Sequence, residues 1–228
     1  MFFLKFKKFI KLMKHELSGT AAKKNRFSWV LDETKYLNWQ KVKKLRRACE
    51  KAKNKGIEKN QIIPVRNWFM IELGLFTGLR VNEMVNLKTN DLHLNDNQSS
   101  LMVREGKGNK SRTIFFPETF KKECLFYLEW KDKHLPGQYL FANSKGEKLS
   151  KRTLQKSFKK CMKSARLESH YSIHCLRHTY GSHLYKSSNH NLRLVQEQLG
   201  HSSIRTTQVY ANLMDEEIKE ALEELYKF

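Results

Sequence analysis

Acidic side chains are the scarce component of this sequence. Its 228 residues carry 23 Asp and Glu against 44 Lys and Arg, a formal charge of +21 with histidine neutral. That excludes an ordinary neutral globular protein and favours a polyanionic partner, of which nucleic acid is the abundant intracellular one. Cysteine is also sparse. Cys49, Cys124, Cys161 and Cys175 are dispersed with no Cys-x-x-Cys pair, which argues against a disulfide framework and a cysteine-based zinc site and points to a reduced, cytoplasmic chain. No apolar run approaches the roughly 18–20 residues that span a bilayer. Lysines interrupt the apolar residues of the first 14 positions before a signal-peptide core forms, so neither a membrane span nor secretion is expected. Internal repeats and low-complexity tracts are lacking as well. What is present is 39% apolar residues, enough for a real core at a length below the roughly 250–300 residues where single cores stop growing.

The positive charge is concentrated in residues 1–60. Phe2, Phe6, Phe9, Ile10 and Met13 fall near helical spacing with Lys5, Lys8 and Lys11 elsewhere around the wheel, a pattern that suits a basic amphipathic helix or a mobile basic leader. Residues 15–36 lack sustained periodicity and read as linker, so the sequence divides into a leader and linker at 1–36, a compact domain at 37–212 and a terminal helix at 213–228. Helical patterns cover 40–55, 64–77, 81–87, 118–134, 150–165, 173–185, 192–199, 204–210 and 215–226. Pro64 and Pro117 sit where a helix-starting proline is tolerated, and Gly78 where a helix-ending glycine is wanted. Residues 101–104 and 113–116 are β-prone runs joined by a basic, glycine-containing tip, which reads as a hairpin, followed by a short extended stretch at 139–141. The expected class is mainly α with a small antiparallel sheet.

Four clusters combine charged or nucleophilic side chains with local structure that would fix them. In residues 77–83, Gly78 ends one helix and puts Arg80 at the start of the next, with Glu83 three residues on to orient its planar fork toward a phosphate. Taken alone, that pair is an ordinary surface ion pair. In residues 106–112, Lys107, Lys110 and Arg112 crowd a turn with glycines and Asn109, suited to a phosphate contact or to a solvated tip. In residues 174–183, His174 and Arg177 share a helix face and could grip one phosphate. His170, His174 and His178 recur every four residues, but no carboxylate or cysteine completes a metal set at known spacing and His170 precedes the helix, so no metal is expected and His178 reads as structural. In residues 199–210, Gly200 closes a helix, His201 lies in the turn, Ser202 or Ser203 caps the next helix and Tyr210 follows about two turns later.

Taken in this order, Arg80, Lys107, His174-x-x-Arg177, His201 and Tyr210 resemble the active site of the tyrosine recombinases, also called the phage integrase family, over about residues 37–212. The resemblance implies a mostly helical catalytic domain with a small β-hairpin. It implies strand exchange in double-stranded DNA without metal or nucleotide cofactor. By motif, Tyr210 is the expected nucleophile, Arg80 and Arg177 the phosphate clamp, Lys107 the hairpin lysine, His174 and His201 the supporting imidazoles, and Glu83 the acidic residue that orients the site. Phosphodiester attack needs such a set: a nucleophile, cations on the non-bridging oxygens, and a proton for the departing 5′ oxygen. Because a phenol with an ordinary pKa near 10 is protonated at neutral pH, nearby cations are expected to favour the Tyr210 phenolate.

Two departures qualify the match. Residues 1–36 are shorter than the family's usual N-terminal DNA-binding domain, a layout similar to the short invertases of fimbrial switches, and Asn212 stands where many relatives have His. The amphipathic segment 213–228 docks either on its own domain or, as in the family, on a neighbouring subunit. Expected partners are double-stranded DNA, further copies of the chain in a tetramer on paired sites, and accessory DNA-bending proteins. Alternatives are a type IB topoisomerase-like nicking-closing enzyme and an inactive DNA-binding regulator. If the leader contacts DNA, removing residues 1–14 lowers non-specific affinity and flattens the log–log salt dependence, whose slope is about −0.9 per phosphate neutralised. An unchanged slope would take the leader off the DNA.

Overall fold

The computed structural model describes residues 34–95, 98–104, 111–201, Thr207 and Tyr210. The expected leader helix, the hairpin tip with Lys107, and the helices expected at 204–210 and 215–226 lie outside the described residues, Tyr210 excepted. The described elements are α1 (Trp39–Glu58), α2 (Ile62–Thr77), α3 (Val81–Asn86), β1 (Leu92–His93), β2 (Ser100–Val103), β3 (Arg112–Phe115), α4 (Glu118–His134), α5 (Lys151–Ser164), α6 (His174–Ser187) and α7 (Leu192–Leu199). The class is therefore mainly α with a three-stranded antiparallel sheet in the order β1-β2-β3.

Helix α2 organises the domain because it is apolar nearly all round. Val65, Trp68, Phe69, Met70, Ile71 and Leu73 are all buried, and a helix with no polar face must lie inside. It is wrapped by α1, α4, α5 and α6. Phe69 stacks on Tyr127 of α4 at 3.9 Å between ring centroids, and Phe76 on Phe120 at 4.7 Å. Helix α1 is amphipathic instead. The Asn38 side chain caps it by accepting from the Lys41 N–H at 3.0 Å, and it buries Val42, Leu45 and Cys49 while Lys43, Lys44, Lys51 and Lys55 face outward. Leu37 is fully buried and its N–H donates to Thr179 Oγ1 at 2.9 Å, tying the chain before α1 to α6.

Helix α2 begins at Ile62, two residues before Pro64; the third position of a helix needs no intrahelical N–H, so proline fits there. The hairpin pairs Leu101 with Ile114 and Val103 with Arg112. Leu101 and Ile114 are fully buried while Phe115 is exposed, the alternation a half-buried sheet demands. The third strand, β1, pairs Leu92 with Leu101 and was not expected, since two residues carry no readable period. Around the stretch at 139–141, Tyr139 bridges Lys88 and Ala142 bridges Lys148 outside the named strands.

Two glycines end the helices that lead into the site. Gly78 (φ 59°) closes α2 and Gly200 (φ 63°) closes α7, both left-handed. A Cβ on Gly78 would lie 2.5 Å from Tyr180 Cδ1 and 2.8 Å from Leu199 Cδ2. Gly78→Ala should therefore destabilise by at least the ~1–2 kcal/mol of a left-handed non-glycine residue, read as a lower urea midpoint; a wild-type midpoint would show that this turn is not held as described.

Candidate active site

Arg80 follows the Gly78 turn as the residue that precedes α3, in extended conformation. Its N–H donates to Glu83 Oε2 at 2.8 Å and its Nη1 to Glu83 Oε1 at 2.9 Å. The carboxylate is shared. Arg112, at the start of β3, donates from Nη1 to Oε1 at 2.9 Å and from Nη2 to Oε2 at 3.0 Å, the planar bidentate geometry that makes such pairs strong. Burial opposes ionisation of Glu83, but the Arg112 fork, followed by the Arg80 N–H and charge, outweighs it and holds the carboxyl down to about 2.

Arg177 is 7% exposed and lies in the second half of the first turn of α6. Its Nη1 donates to the Gly78 carbonyl at 2.7 Å and its Nη2 to the Leu199 carbonyl at 2.8 Å. Leu199 is the last residue of α7 and Gly78 the residue that closes α2, so neither carbonyl has a partner within those helices. The guanidinium thus bridges two helix C-termini, where the backbone dipoles favour a cation. Burial first, then the charge of Arg80, lowers its pKa to about 10, so it stays protonated at neutral pH. Two of its five N–H groups are committed to backbone.

His201 follows the Gly200 turn. Its ring Nδ1 lies 3.0 Å from Thr207 Oγ1, its N–H donates to the Gln196 carbonyl at 3.0 Å, and Gln196 Nε2 donates to its carbonyl at 3.2 Å. Burial, then Arg177, Arg80 and Arg112, pushes its pKa down to about 3. The imidazole is neutral at physiological pH and contributes a hydrogen bond rather than a charge.

Tyr210 is 1% exposed. Its N–H donates to the Thr207 carbonyl at 3.0 Å, and its ring packs with Tyr36, Tyr185, Val195 and Leu199. The phenol lies on the bare backbone of Gly181, where a Cβ would come within 2.5 Å of Cζ and 2.7 Å of the hydroxyl oxygen. Burial raises its pKa to about 12 against the opposing charges of Arg177 and Arg80. Arg177 and Arg80 do favour the phenolate as expected, but burial outweighs them in the free protein and the phenol is protonated at neutral pH.

The remaining residues divide. His174 opens α6 one turn before Arg177 and is exposed; among the described residues no hydrogen bond joins it to the others. Lys107 lies outside the described residues. His170 precedes α6 and meets the Thr34 carbonyl through Nε2 at 3.1 Å, so the four-residue histidine spacing does not run along one helix. Among the described residues no cluster of three or more His, Cys, Asp or Glu could hold a metal ion, and no helix is long and apolar enough to cross a membrane. Sequence reasoning placed Arg112 in the hairpin tip and missed its contact with Glu83. The only signal was strand alternation, which points Arg112 and Ile114 to the same side.

The chain is a member of the phage integrase family, whose model matches residues 35–217. It is 36% identical over 160 residues to the tyrosine recombinase XerC of Caldanaerobacter subterraneus subsp. tengcongensis, covering 69% of this chain and 44% of the relative. It is 36% identical over 169 residues to the tyrosine recombinase XerA of Pyrococcus furiosus, covering 72% and 57%. The chain therefore spans about half the length of these curated relatives. Among solved structures, it is similar to the XerA recombinase (TM-score 0.69, 27% identity, 85% of this chain and 65% of that one). It is also similar to the XerH site-specific recombinase bound to palindromic difH substrate in a post-cleavage complex (TM-score 0.68, 29% identity, 82% and 52%).

The Glu83 carboxyl gives this arrangement a pH signature. Its folded pKa lies below the unfolded value of 4.5, so its stabilisation is complete above pH 4.5 and is lost as pH falls toward 2. The stability gap between wild type and Glu83→Gln should be about 3 kcal/mol near neutrality and close with acid. Urea unfolding at stepped pH measures it; a gap independent of pH would mean Glu83 is not held as an ion.

Proposed function

We propose that this chain is a site-specific DNA recombinase that cleaves and rejoins duplex DNA through a 3′-phosphotyrosyl intermediate on Tyr210. It works in the cytoplasm as a homo-oligomer, a tetramer on paired sites, with accessory DNA-bending proteins as further partners. The observation that carries the reading is one hydrogen-bonded knot, in which Arg177 and the Arg80–Glu83 pair meet the His201 turn with the Tyr210 phenol packed beside them. The net charge of +21 supports a polyanionic substrate.

In this reading Tyr210 Oη attacks the scissile phosphorus and the bond from phosphorus to O5′ breaks. The phenolic proton passes to His174, and O5′ takes a proton from Lys107. Arg80 and Arg177 hold the non-bridging oxygens as charge builds on them. His201 is neutral, so for Nε2 to donate to a phosphate oxygen, Nδ1 must accept from the Thr207 hydroxyl. The bond energy is kept in the phosphotyrosine, and religation to another strand needs no nucleotide. Tyr210 must first leave its seat on Gly181. Exposing one aromatic ring costs about 1.5–3 kcal/mol, a sum that several charge-assisted phosphate contacts can offset.

Incubation of the full chain with nicked suicide substrates from the DNA flanking its own gene tests the reading. Wild type should give a covalent adduct on a denaturing gel. Tyr210→Phe should bind DNA normally and give none, and Arg177→Lys should cleave about 10²–10³ times more slowly, as expected for loss of one charge-stabilising fork. Adduct surviving in Tyr210→Phe would remove Tyr210 from the chemistry. DNA binding without any wild-type adduct would favour the non-catalytic regulator, and adduct without exchange between two sites the nicking-closing enzyme.

A further inference from the structure

We propose that Arg112 is a positioning residue of the cleavage reaction, setting Arg80 through the shared carboxylate of Glu83 and tying it to the turn that carries His201. The inference rests on the recombinase reading above and extends it to a residue outside the six that the motif assigns.

The geometry is a closed circuit of side chains and backbone. Arg80 binds Glu83; both Glu83 oxygens bind the Arg112 fork; Arg112 Nε donates to the Gln198 carbonyl at 3.4 Å; the next carbonyl, Leu199, binds Arg177, whose other arm returns to Gly78, two residues before Arg80. Arg112 is the one member contributed by the sheet. Its side chain is only 13% exposed, and it lies against the bare backbone of Gly200, where a Cβ would come within 2.5 Å of Arg112 Cδ and 2.7 Å of Nε. An arginine buried against a left-handed glycine and forked onto an already paired carboxylate is not placed to meet solvent. Without it, Glu83 keeps the Arg80 N–H on Oε2 but loses the fork that fixes the plane of its carboxylate, and with it the fixed position of Oε1 that Arg80 Nη1 binds.

A lysine keeps the charge but cannot occupy both oxygens and the Gln198 carbonyl in one plane. Arg112→Lys and Arg112→Met are therefore both expected to slow single-turnover cleavage of the suicide substrate by about 10²-fold, the cost of roughly ångström misplacement of a reacting group. DNA affinity should change far less than the rate, both being read at a temperature where circular dichroism shows each variant folded. If Arg112 acts through Glu83, the double variant Arg112→Met/Glu83→Gln should cleave no more slowly than the slower single variant. Cleavage at the wild-type rate in both Arg112 variants, or losses that multiply in the double variant, would overturn the proposal while leaving the recombinase reading intact. Loss of affinity in step with rate would also overturn it, by making Arg112 a DNA contact. No adduct from wild type would overturn the recombinase reading and this inference with it.

Discussion

A guanidinium with 7% of its surface exposed must find its hydrogen bonds inside the protein, because an unpaired buried charge costs several kcal/mol. Arg177 finds them on the carbonyl of Gly78, the glycine that closes α2, and on that of Leu199, the last residue of α7. Both helices end in left-handed glycines, so each chain turns away at once and one carbonyl at each turn meets the guanidinium. The turn after α2 delivers Arg80, and the turn after α7 delivers His201. The site is thus built from the ends of two helices by one buried cation, and the carboxylate of Glu83 brings the sheet into the same assembly.

The electrostatic consequence is a free site that is charged but quiet. Burial, then the charge of Arg80, lowers the Arg177 pKa against the pull of Glu83, but only to about 10, so it remains protonated at neutral pH. The same burial and the same cations drive His201 neutral. Tyr210 feels the cations in the opposite sense, yet burial dominates and the phenol is held protonated. In the proposed reaction the balance shifts in a direction set by charge: an anion between Arg80 and Arg177 would lower the field on His201, and exposure of Tyr210 would remove the desolvation that now raises its pKa.

Much of this was legible in the residues. The apolar run of α2, the glycine after Thr77, the strands around the basic hairpin and the Gly-His turn are local signals, and they fixed most elements to within a few residues. The order of Arg80, Lys107, His174, Arg177, His201 and Tyr210 pointed to the phage integrase family from the residues alone. What escaped was non-local. A two-residue strand such as β1 has no period, and its existence depends on Leu101 lying opposite. Arg112 sits among other cations in the sequence, and only the closing of β3 against α3 and α7 puts it on Glu83. The protonation states of Tyr210 and His201 likewise follow from how deeply each side chain is covered, which composition and spacing do not encode.

The account as a whole stands on the identity of the bond made to DNA. Nuclease digestion of a trapped adduct, followed by mass spectrometry of its peptides, reads that bond directly. The account predicts a nucleotide joined through its 3′ phosphate to the peptide that contains Tyr210, with a free 5′ hydroxyl on the released strand. A 5′-phosphate linkage, or a nucleotide on any other residue, would contradict it.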